Sequence, residues 1–379
     1  MAVTVCFVTR NHAPSLGRAI RSIRGLASEV LVGDTGSTDH TLAVAEESGA
    51  RVITIAWTDD FAAACNDTLA AATGGWILWL NPDEEVEPEG LPLLTAAMAD
   101  PGLFAWRLLV RQETRADRPK QGVLGWEYRL YRRDPSIRYR GRLHPEFETP
   151  LEQLAAARGQ AVSAIGAIIR RHAYLSIPTP DRIPWVVRLL EAELRDRPGQ
   201  VGYLIELGRN LLWLNDPRGH EVLGEAAEIV RRVASDPVPP SPWVGSLIEY
   251  LLSVDPKQTG TTASRTVARE WAARWFPFTP PVLWAVAGER FASNDYPAAA
   301  GLLENLIRIG QTAEYVADTG FSKDIIGTSA VMNLGVCYLH LDRWDDARAC
   351  FVKLFHDPER ETAARQGYRL AELRQRPDR

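Results

Sequence analysis

The stretch WILWLNPDEEVEPEG, residues 76–90, runs a block of bulky apolar residues into three consecutive acids, Asp83, Glu84 and Glu85, with Asn81 and Pro82 at the junction. Carboxylate oxygens gathered at one point are the ligands that hard divalent cations take. Acids are equally suited to the first turn of a helix, where they face the positive end of its dipole. Two other stretches concentrate polar groups in the same way. Thr9, Arg10, Asn11 and His12 end the apolar run VTVCFV, and GDTGSTD, residues 33–39, follows EVLV. Within that second stretch Gly36 supplies freedom for a tight turn. Asp34 is suited to accept hydrogen bonds from the amides of that turn, to face a ligand, or both.

The elements around these residues follow a rhythm. Residues 3–9, 29–32, 51–55 and 76–80 are short runs of strand type, and 14–25, 38–48 and 61–72 read as helices between them. Pro14 fits a first helical turn, and Leu16, Ala19, Ile20 and Ile23 share one face. Ser37 or Thr38 is the expected cap of the second helix. Strand and helix in alternation predict a mostly parallel sheet with helices on both faces. Such sheets take ligands beyond the carboxyl ends of their strands. Residues 10–12, 33–39 and 81–85 should therefore line one crevice, with Asp83 facing it and Glu85 and Glu87 beginning a helix. The longer runs FAWRLLVRQ and GWEYRLYRR should extend the sheet in antiparallel pairing, followed by YRGRLHPEFE.

From about residue 183 the pattern is helical throughout. Leu334, Gly335 and Tyr338, then Ala347, Phe351 and Leu354 with Pro358 closing, follow the tetratricopeptide spacing, in which a small residue lets two helices touch and an aromatic fills the gap. Ala287, Tyr296, Ala299 and Leu303 repeat it more loosely, as do Leu207, Gly208 and Leu211. A proline-rich loop is expected over 236–242, followed by a degenerate helical pair. Repeats of this kind stack because no unit buries its apolar face alone. The sequence thus predicts an α/β domain over 1–178 and an all-α repeat domain over 179–379.

Composition narrows the alternatives. With 43 basic and 48 acidic residues the net charge is −5, which gives no reason to expect nucleic acid as a partner. Cys6, Cys65, Cys337 and Cys350 are scattered without a CxxC pair, as reduced cytosolic cysteines are. The N-terminal run reads as a strand and not as a signal peptide, and no apolar stretch approaches the length of a transmembrane span. The expected location is cytoplasmic, with peripheral contact to the inner face of the membrane left open. Trp57, Trp79, Trp106 and Trp126 are expected in packing rather than in stacking on a ligand.

TRN after the first strand, VGDTGSTDHT after the second, WTDDFAAACN and GGWILWLNPDEE together resemble glycosyltransferase family 2, in the subgroup that joins a GT-A-type (Rossmann-like) domain to tetratricopeptide repeats. The resemblance implies transfer of a sugar, with inversion, from a UDP-, GDP- or dTDP-sugar to a protein, lipid or glycan acceptor, assisted by Mn²⁺ or Mg²⁺. It implies a protein partner for the repeats as a further possibility. By the same resemblance Thr9, Arg10, Asn11, Asp34, Gly36, Asp39, Asp60, Asn66 and Asn81 would bind the nucleotide sugar. The family's DxD motif falls on Asn81-Pro82-Asp83, with asparagine in place of the first acid, so Asp83 is the expected metal ligand and catalytic carboxylate.

The chemistry fits those residue types. A departing nucleoside diphosphate needs its charge stabilised, and a cation held largely by phosphate oxygens needs only one or two protein carboxylates. A neutral imidazole at His144 would be a second metal ligand, or else a loop hydrogen-bonder. Inversion also requires a base for the acceptor hydroxyl, and Glu146 is the candidate, with Glu148 and Glu84 behind it. Arg10, Arg140 and Arg142 are of the type that neutralises phosphate, and His172 fits a structural place at the domain end as well as a metal. An alternative reading is a nucleotide-sugar-binding module on a repeat scaffold. Asn81, Cys65 and Pro145 favour it and the acids at 34, 39 and 83 oppose it. A nucleotidyltransferase would want a glycine-rich basic loop after the first strand, which TRNHAPSLGR is not.

Overall fold

The computed structural model describes residues 2–113, 122–172, 182–239, 241, 243–254, 265–314 and 321–375. The chain forms two compact units, Met1–Asp196 and Arg197–Arg379. The boundary expected at 178/179 lies outside the described residues, and the loop over 236–242 lies partly outside them.

The first unit runs β1 (Val3–Thr9), α1 (Ala13–Ser22), β2 (Glu29–Asp34), α2 (Thr41–Glu47), β3 (Arg51–Thr54), α3 (Phe61–Ala71), β4 (Trp76–Trp79), β5 (Glu84–Val86), α4 (Gly90–Met98), β6 (Leu103–Glu113), β7 (Gly122–Arg132), β8 (Tyr139–Arg140), β9 (Glu146–Phe147), α5 (Leu151–Ala156), β10 (Ala161–Arg171) and α6 (Ile183–Asp196). Among the described residues eight strands form one sheet in the order β3-β2-β1-β4-β7-β6-β10-β5, and β8-β9 form a separate ribbon. β3, β2, β1 and β4 are parallel neighbours, whereas β7 pairs antiparallel with both β4 and β6, as the longer runs predicted. This is the mostly parallel α/β sheet expected from the strand and helix alternation. Val3, Val5 and Phe7 pack with Leu16, Leu78 and Leu94 on one face, while Cys6 packs with Leu31, Ile77 and Tyr131 on the other. Successive side chains of a strand point to opposite faces, so the apolar runs of β1 and β4 are buried on both. Trp79 takes part in this packing, as expected, and Trp76 does so as well.

The register decides where the loops emerge. Thr9 pairs with Asp34, and Cys6 with Trp79, so β1, β2 and β4 deliver their following loops to one end of the sheet. At the opposite end Glu29 ties three strands together. It accepts from Thr4 Oγ1 of β1, from Arg51 of β3 at 2.6 Å, and from the Thr73 amide and hydroxyl at 2.9 and 2.8 Å.

Three local expectations are corrected. The acids after Pro82 do not begin a helix. Residues 84–86 form the edge strand β5, antiparallel to β10, with Arg171 opposite Glu84, and the Glu87 amide donates to the Ile168 carbonyl. Asn-Pro-Asp-Glu carries the signature of a capping box, and half of that box is present: Glu84 reaches back to the Asn81 amide at 2.8 Å. The chain then closes a turn, Glu84 N–H to Asn81 C=O at 3.0 Å, and pairs with β10 instead of winding on. Second, neither Ser37 nor Thr38 caps α2; Asp39 accepts from the Thr41 amide at 2.9 Å. Third, α6 sits in the first unit, although the helical pattern of the sequence began with it. Trp185 packs against Trp57 and Phe61, and Arg188 pairs with Asp59.

The second unit contains α7 (Val201–Trp213), α8 (Arg218–Arg232), α9 (Val244–Ser253), α10 (Arg265–Trp275), α11 (Pro280–Ala292), α12 (Tyr296–Thr312), α13 (Thr328–His340), α14 (Trp344–Val352) and α15 (Glu361–Gln375). Consecutive helices pack in pairs, with α15 against α14. The small-residue contacts are where the spacing put them. A Cβ on Gly208 would lie 2.5 Å from Leu223, and one on Gly335 would lie 2.7 Å from the Phe351 ring. The turns α7–α8, α11–α12 and α13–α14 repeat one device. Asn215, Asn294 and Asp342 adopt left-handed φ of 57–59°. The next amide in each turn bonds back to Leu211, Arg290 or Tyr338 at 2.9 Å, the pattern that satisfies a helix's last carbonyls. Asparagine and aspartate are the non-glycine residues that most readily adopt this conformation.

Candidate functional site

The loops after β1 and β2 are knotted to each other. Asn11, held at φ 58°, accepts at Oδ1 from the Thr38 amide at 2.8 Å, and its own amide donates to Ser37 Oγ at 2.9 Å. Thr35 donates from its amide and hydroxyl to the Thr9 carbonyl at 3.0 and 3.1 Å. Asp34, 3% exposed, receives the Gly36 and Ser37 amides at 3.0 and 2.9 Å and the Ser37 hydroxyl. The Asp34 carboxylate is therefore an Asx-type anchor of its own turn. Two carboxylate oxygens offer about four acceptor sites, and three of them are taken here. Gly36 adopts φ 100°, where a side chain is strained, with open space around it.

Asp39 straps the two helix starts together. It accepts from the Ala13 amide of α1 at 3.2 Å and from the amide and hydroxyl of Thr41 in α2. These bonds, the Thr41 hydroxyl foremost, hold its carboxyl below the usual range. Thr9, Asn11, Asp34, Gly36 and Asp39 are thus one assembly, and Arg10 is exposed beside it. Within this assembly Thr9 Oγ1 is buried with no hydrogen-bond partner among the described residues. A buried hydroxyl in that state costs free energy until something donates to it or accepts from it.

The third loop carries Asn81 and Asp83. Asp83 is 8% exposed, and its carbonyl accepts from the His172 amide at 3.1 Å. The charge of Asp83 is felt at His12 at the start of α1: burial lowers the His12 pKa, while Asp83 and Asp39 oppose that change. Asn81 is fixed by Glu84, which takes its backbone amide at 2.8 Å and its side-chain amide at 3.1 Å. Glu84 is fully buried and is held by Arg129 at 2.9 Å and Arg171 at 2.7 Å; both arginines also reach Glu127. Burial would lower the Arg171 pKa, but the charges of Glu84 and Glu127 outweigh it and raise it. A buried charge of this kind persists only when paired.

His172 lies nearby in a second cluster. Its Nε2 is 2.7 Å from Glu85 and its Nδ1 is 3.4 Å from Glu113, which Arg170 grips at 2.9 and 3.1 Å. Asp60 and Asn66 belong to α3. Asp60 caps that helix by accepting from the Ala63 amide at 3.0 Å. Asn66 clamps β8, donating to the Tyr139 carbonyl at 2.9 Å and accepting from its amide at 2.8 Å. Cys65, at the place where the resemblance implied arginine, is packed in the core, and burial raises its thiol pKa.

Glu146 stands on β9 directly opposite Arg140, exposed and paired with it at 2.9 Å; His144 is exposed on the loop between the two strands. That loop is tethered to α6, since the Arg142 amide donates to the buried Glu193 at 2.9 Å and its guanidinium pairs with Asp196. The sequence had not singled out Glu127, Arg129 and Arg171. The signal for the first two was their i, i+2 spacing on a strand, which puts both charges on one face.

Among the described residues no group of three or more His, Cys, Asp and Glu is arranged to hold a metal ion. The donor set at the turn, one carboxylate with Asn81 already bound to Glu84, fits a cation held mainly by a ligand's phosphates rather than by a protein cage. No helix among the described residues is long and apolar enough to cross a membrane.

Residues 4–149, from β1 through β9, match the family described as Glycosyl transferase family 2. A TPR repeat-containing protein of Synechococcus elongatus is 39% identical over 142 residues, 38% of this chain and 34% of that one. An uncharacterized glycosyltransferase of Rickettsia felis is 34% identical over 87 residues, 23% of this chain and 30% of that one. The matches span about a third of the length of these curated relatives. Two similar solved structures are the mannosyltransferase PcManGT from Pyrobaculum calidifontis with GDP-Man and Mn²⁺ and a glucosyl-3-phosphoglycerate synthase from Mycobacterium tuberculosis with Mn²⁺, UDP and phosphoglyceric acid. The first is 17% identical at a TM-score of 0.38 and covers 72% of this chain and 85% of that one. The second is 20% identical at 0.35 and covers 52% and 78%.

Proposed function

With a glycosyl transferase family 2 domain over residues 4–149, we propose that this chain is an inverting glycosyltransferase that carries a sugar from a UDP-, GDP- or dTDP-sugar to an acceptor hydroxyl. The observation that carries the reading is the knot of loops beyond β1 and β2, in which Asn11, Asp34 and Ser37 hold the turn at Gly36, where open space surrounds the backbone. Open α/β sheets take ligands at this end of their strands.

In this reading Thr9, Asn11, Asp34 and Gly36 receive the nucleoside, and the hydrogen bonds among them set the shape of its pocket before it arrives. Asp83 is the carboxylate toward the diphosphate and would hold the Mn²⁺ or Mg²⁺ ion, with His144 as the candidate second ligand. A bound divalent cation supplies charge stabilisation for the departing diphosphate. The acceptor oxygen attacks the anomeric carbon as the bond to the diphosphate oxygen breaks. Glu146 takes the acceptor proton, for which it must leave Arg140. Asp39, Asp60 and Asn66 keep α1, α2, α3 and β8 in place around the donor.

A second reading, a nucleotide-sugar-binding module on a helical scaffold, is favoured by the bound state of Asn81 and by the ion pair on Glu146. Incubation with UDP-, GDP- and dTDP-sugars, with and without Mn²⁺, separates the two. Metal-dependent turnover that Asp83→Ala abolishes supports the transferase; binding without turnover supports the module. A cytoplasmic location and a protein partner for the repeats belong to the same proposal.

A further inference from the structure

We propose that Asn81 is a positioning residue, whose amide completes a buried clamp that fixes Asp83 without help from a cation. The inference rests on the donor-binding role proposed for Asp83, and it concerns how that residue is held.

Glu84 is the centre of the clamp. Its Oε2 accepts the Asn81 backbone amide at 2.8 Å, and its Oε1 accepts the Asn81 side-chain amide at 3.1 Å, Arg129 at 2.9 Å and Arg171 at 2.7 Å. Pro82 and Asp83 lie between the two ends of this ring. The Asp83 carbonyl is pinned to the His172 amide, and the turn is closed by the Glu84 amide on the Asn81 carbonyl. The turn is therefore fixed at its start by Glu84, at its end by pairing with β10, and from behind by two strands through their arginines.

The charges explain the amide. Glu84 and Glu127 share Arg129 and Arg171, two charges of each sign, and no further cation among the described residues bonds the fully buried Glu84. A side chain at 81 that contacts Glu84 must then donate a proton and carry no negative charge, and asparagine does both. A carboxylate there would need a cation to balance it. Asn81 thus lets the turn keep its shape while the site is metal-free, at the cost of one cation ligand.

The test compares wild type, Asn81→Ala, which removes the donor, and Asn81→Ser, whose hydroxyl can donate to Glu84. Each is measured as the full chain by amide hydrogen exchange without ligand, and by calorimetric titration of UDP and GDP in the presence of Mn²⁺. The expected result for Asn81→Ala is roughly tenfold faster exchange at residues 83 and 84 only, together with roughly tenfold weaker nucleotide affinity, the scale of one lost hydrogen bond to a charged acceptor. Asn81→Ser should recover part of both. Unchanged exchange and affinity in Asn81→Ala would overturn the clamp and leave the donor site standing. A wild type that binds neither nucleotide sinks both, and faster exchange throughout the domain would make Asn81 a stability residue only.

Discussion

Replacing Asn81 by aspartate introduces the acid that the resemblance implied at this place and tests whether the surrounding charges accept it. The substitution keeps the side chain's size and exchanges a donor 3.1 Å from Glu84 for a like charge. Loss of a hydrogen bond to a charged group costs roughly 1.5–3 kcal/mol. Two unit charges about 4 Å apart repel by about 4 kcal/mol at an effective dielectric constant of ~20. Arg129 and Arg171, both within 3 Å of Glu84, attract the new carboxylate and cancel much of that repulsion. A net loss of roughly 2 kcal/mol remains, which corresponds to a fall in Tm of about 4–8 °C for a domain of this size. Mn²⁺ reverses the sign, because a cation between two carboxylates supplies the missing countercharge. At a hundred times its Kd it adds about 2.7 kcal/mol. Thermal unfolding followed by near-ultraviolet circular dichroism, with EDTA and with Mn²⁺, measures both effects. The variant should melt below wild type in EDTA and gain more from Mn²⁺ than wild type does. Equal melting in EDTA, or no larger gain with Mn²⁺, refutes the charge argument.

Three other outcomes follow from the packing. Burial works to raise the Glu29 pKa, yet bonds from Thr4, Arg51 and Thr73 outweigh it and bring it from 4.5 to about 2. The folded value is the depressed one, so about 3 kcal/mol of stability is present above pH ~4.5 and is lost as pH falls towards 2; Glu29→Gln should flatten this part of the acid limb in urea titrations, and an unchanged slope would contradict it. Asn66→Ala leaves the Tyr139 amide and carbonyl without their present partner and should cost roughly 1–3 kcal/mol in the same titrations. Gly335→Ala places a Cβ 2.7 Å from the Phe351 ring and should lower the stability of the helical unit by roughly 1–3 kcal/mol in calorimetry; a neutral result would mean that the ring can yield.

The alternation of β1 through β4 with α1 through α3 was legible because each strand is a short β-branched run and each helix has a periodic apolar face. Thr9 and Asp34 could be placed at one end of the sheet for the same reason: parallel strands deliver their loops to one side. The edge strand β5 was not legible. Asn-Pro-Asp-Glu has the local chemistry of a helix start, and only pairing with Arg171, eighty-seven residues away, overrides it. The clamp on Asn81 was hidden likewise, since Arg129 lies forty-five residues from Glu84 in the chain. α6 continues a helical pattern in sequence, and its place in the first unit depends on Trp185 and Arg188 meeting Trp57, Phe61 and Asp59. At the candidate site, the resemblance named Asp60 and Asn66, and their hydrogen bonds give them structural work, capping α3 and clamping β8, that no local pattern announces.

In the proposed transferase the carboxylate of Asp83 meets a cation-bound nucleoside diphosphate beyond the ends of β1, β2 and β4. Calorimetric titration of the wild type and Asp83→Ala with UDP and GDP, each with Mn²⁺ and with EDTA, measures that contact. Binding by the wild type that requires Mn²⁺, and that disappears in a variant with an unchanged melting profile, is the predicted result. Equal binding by both proteins, or binding that ignores the metal, would contradict it.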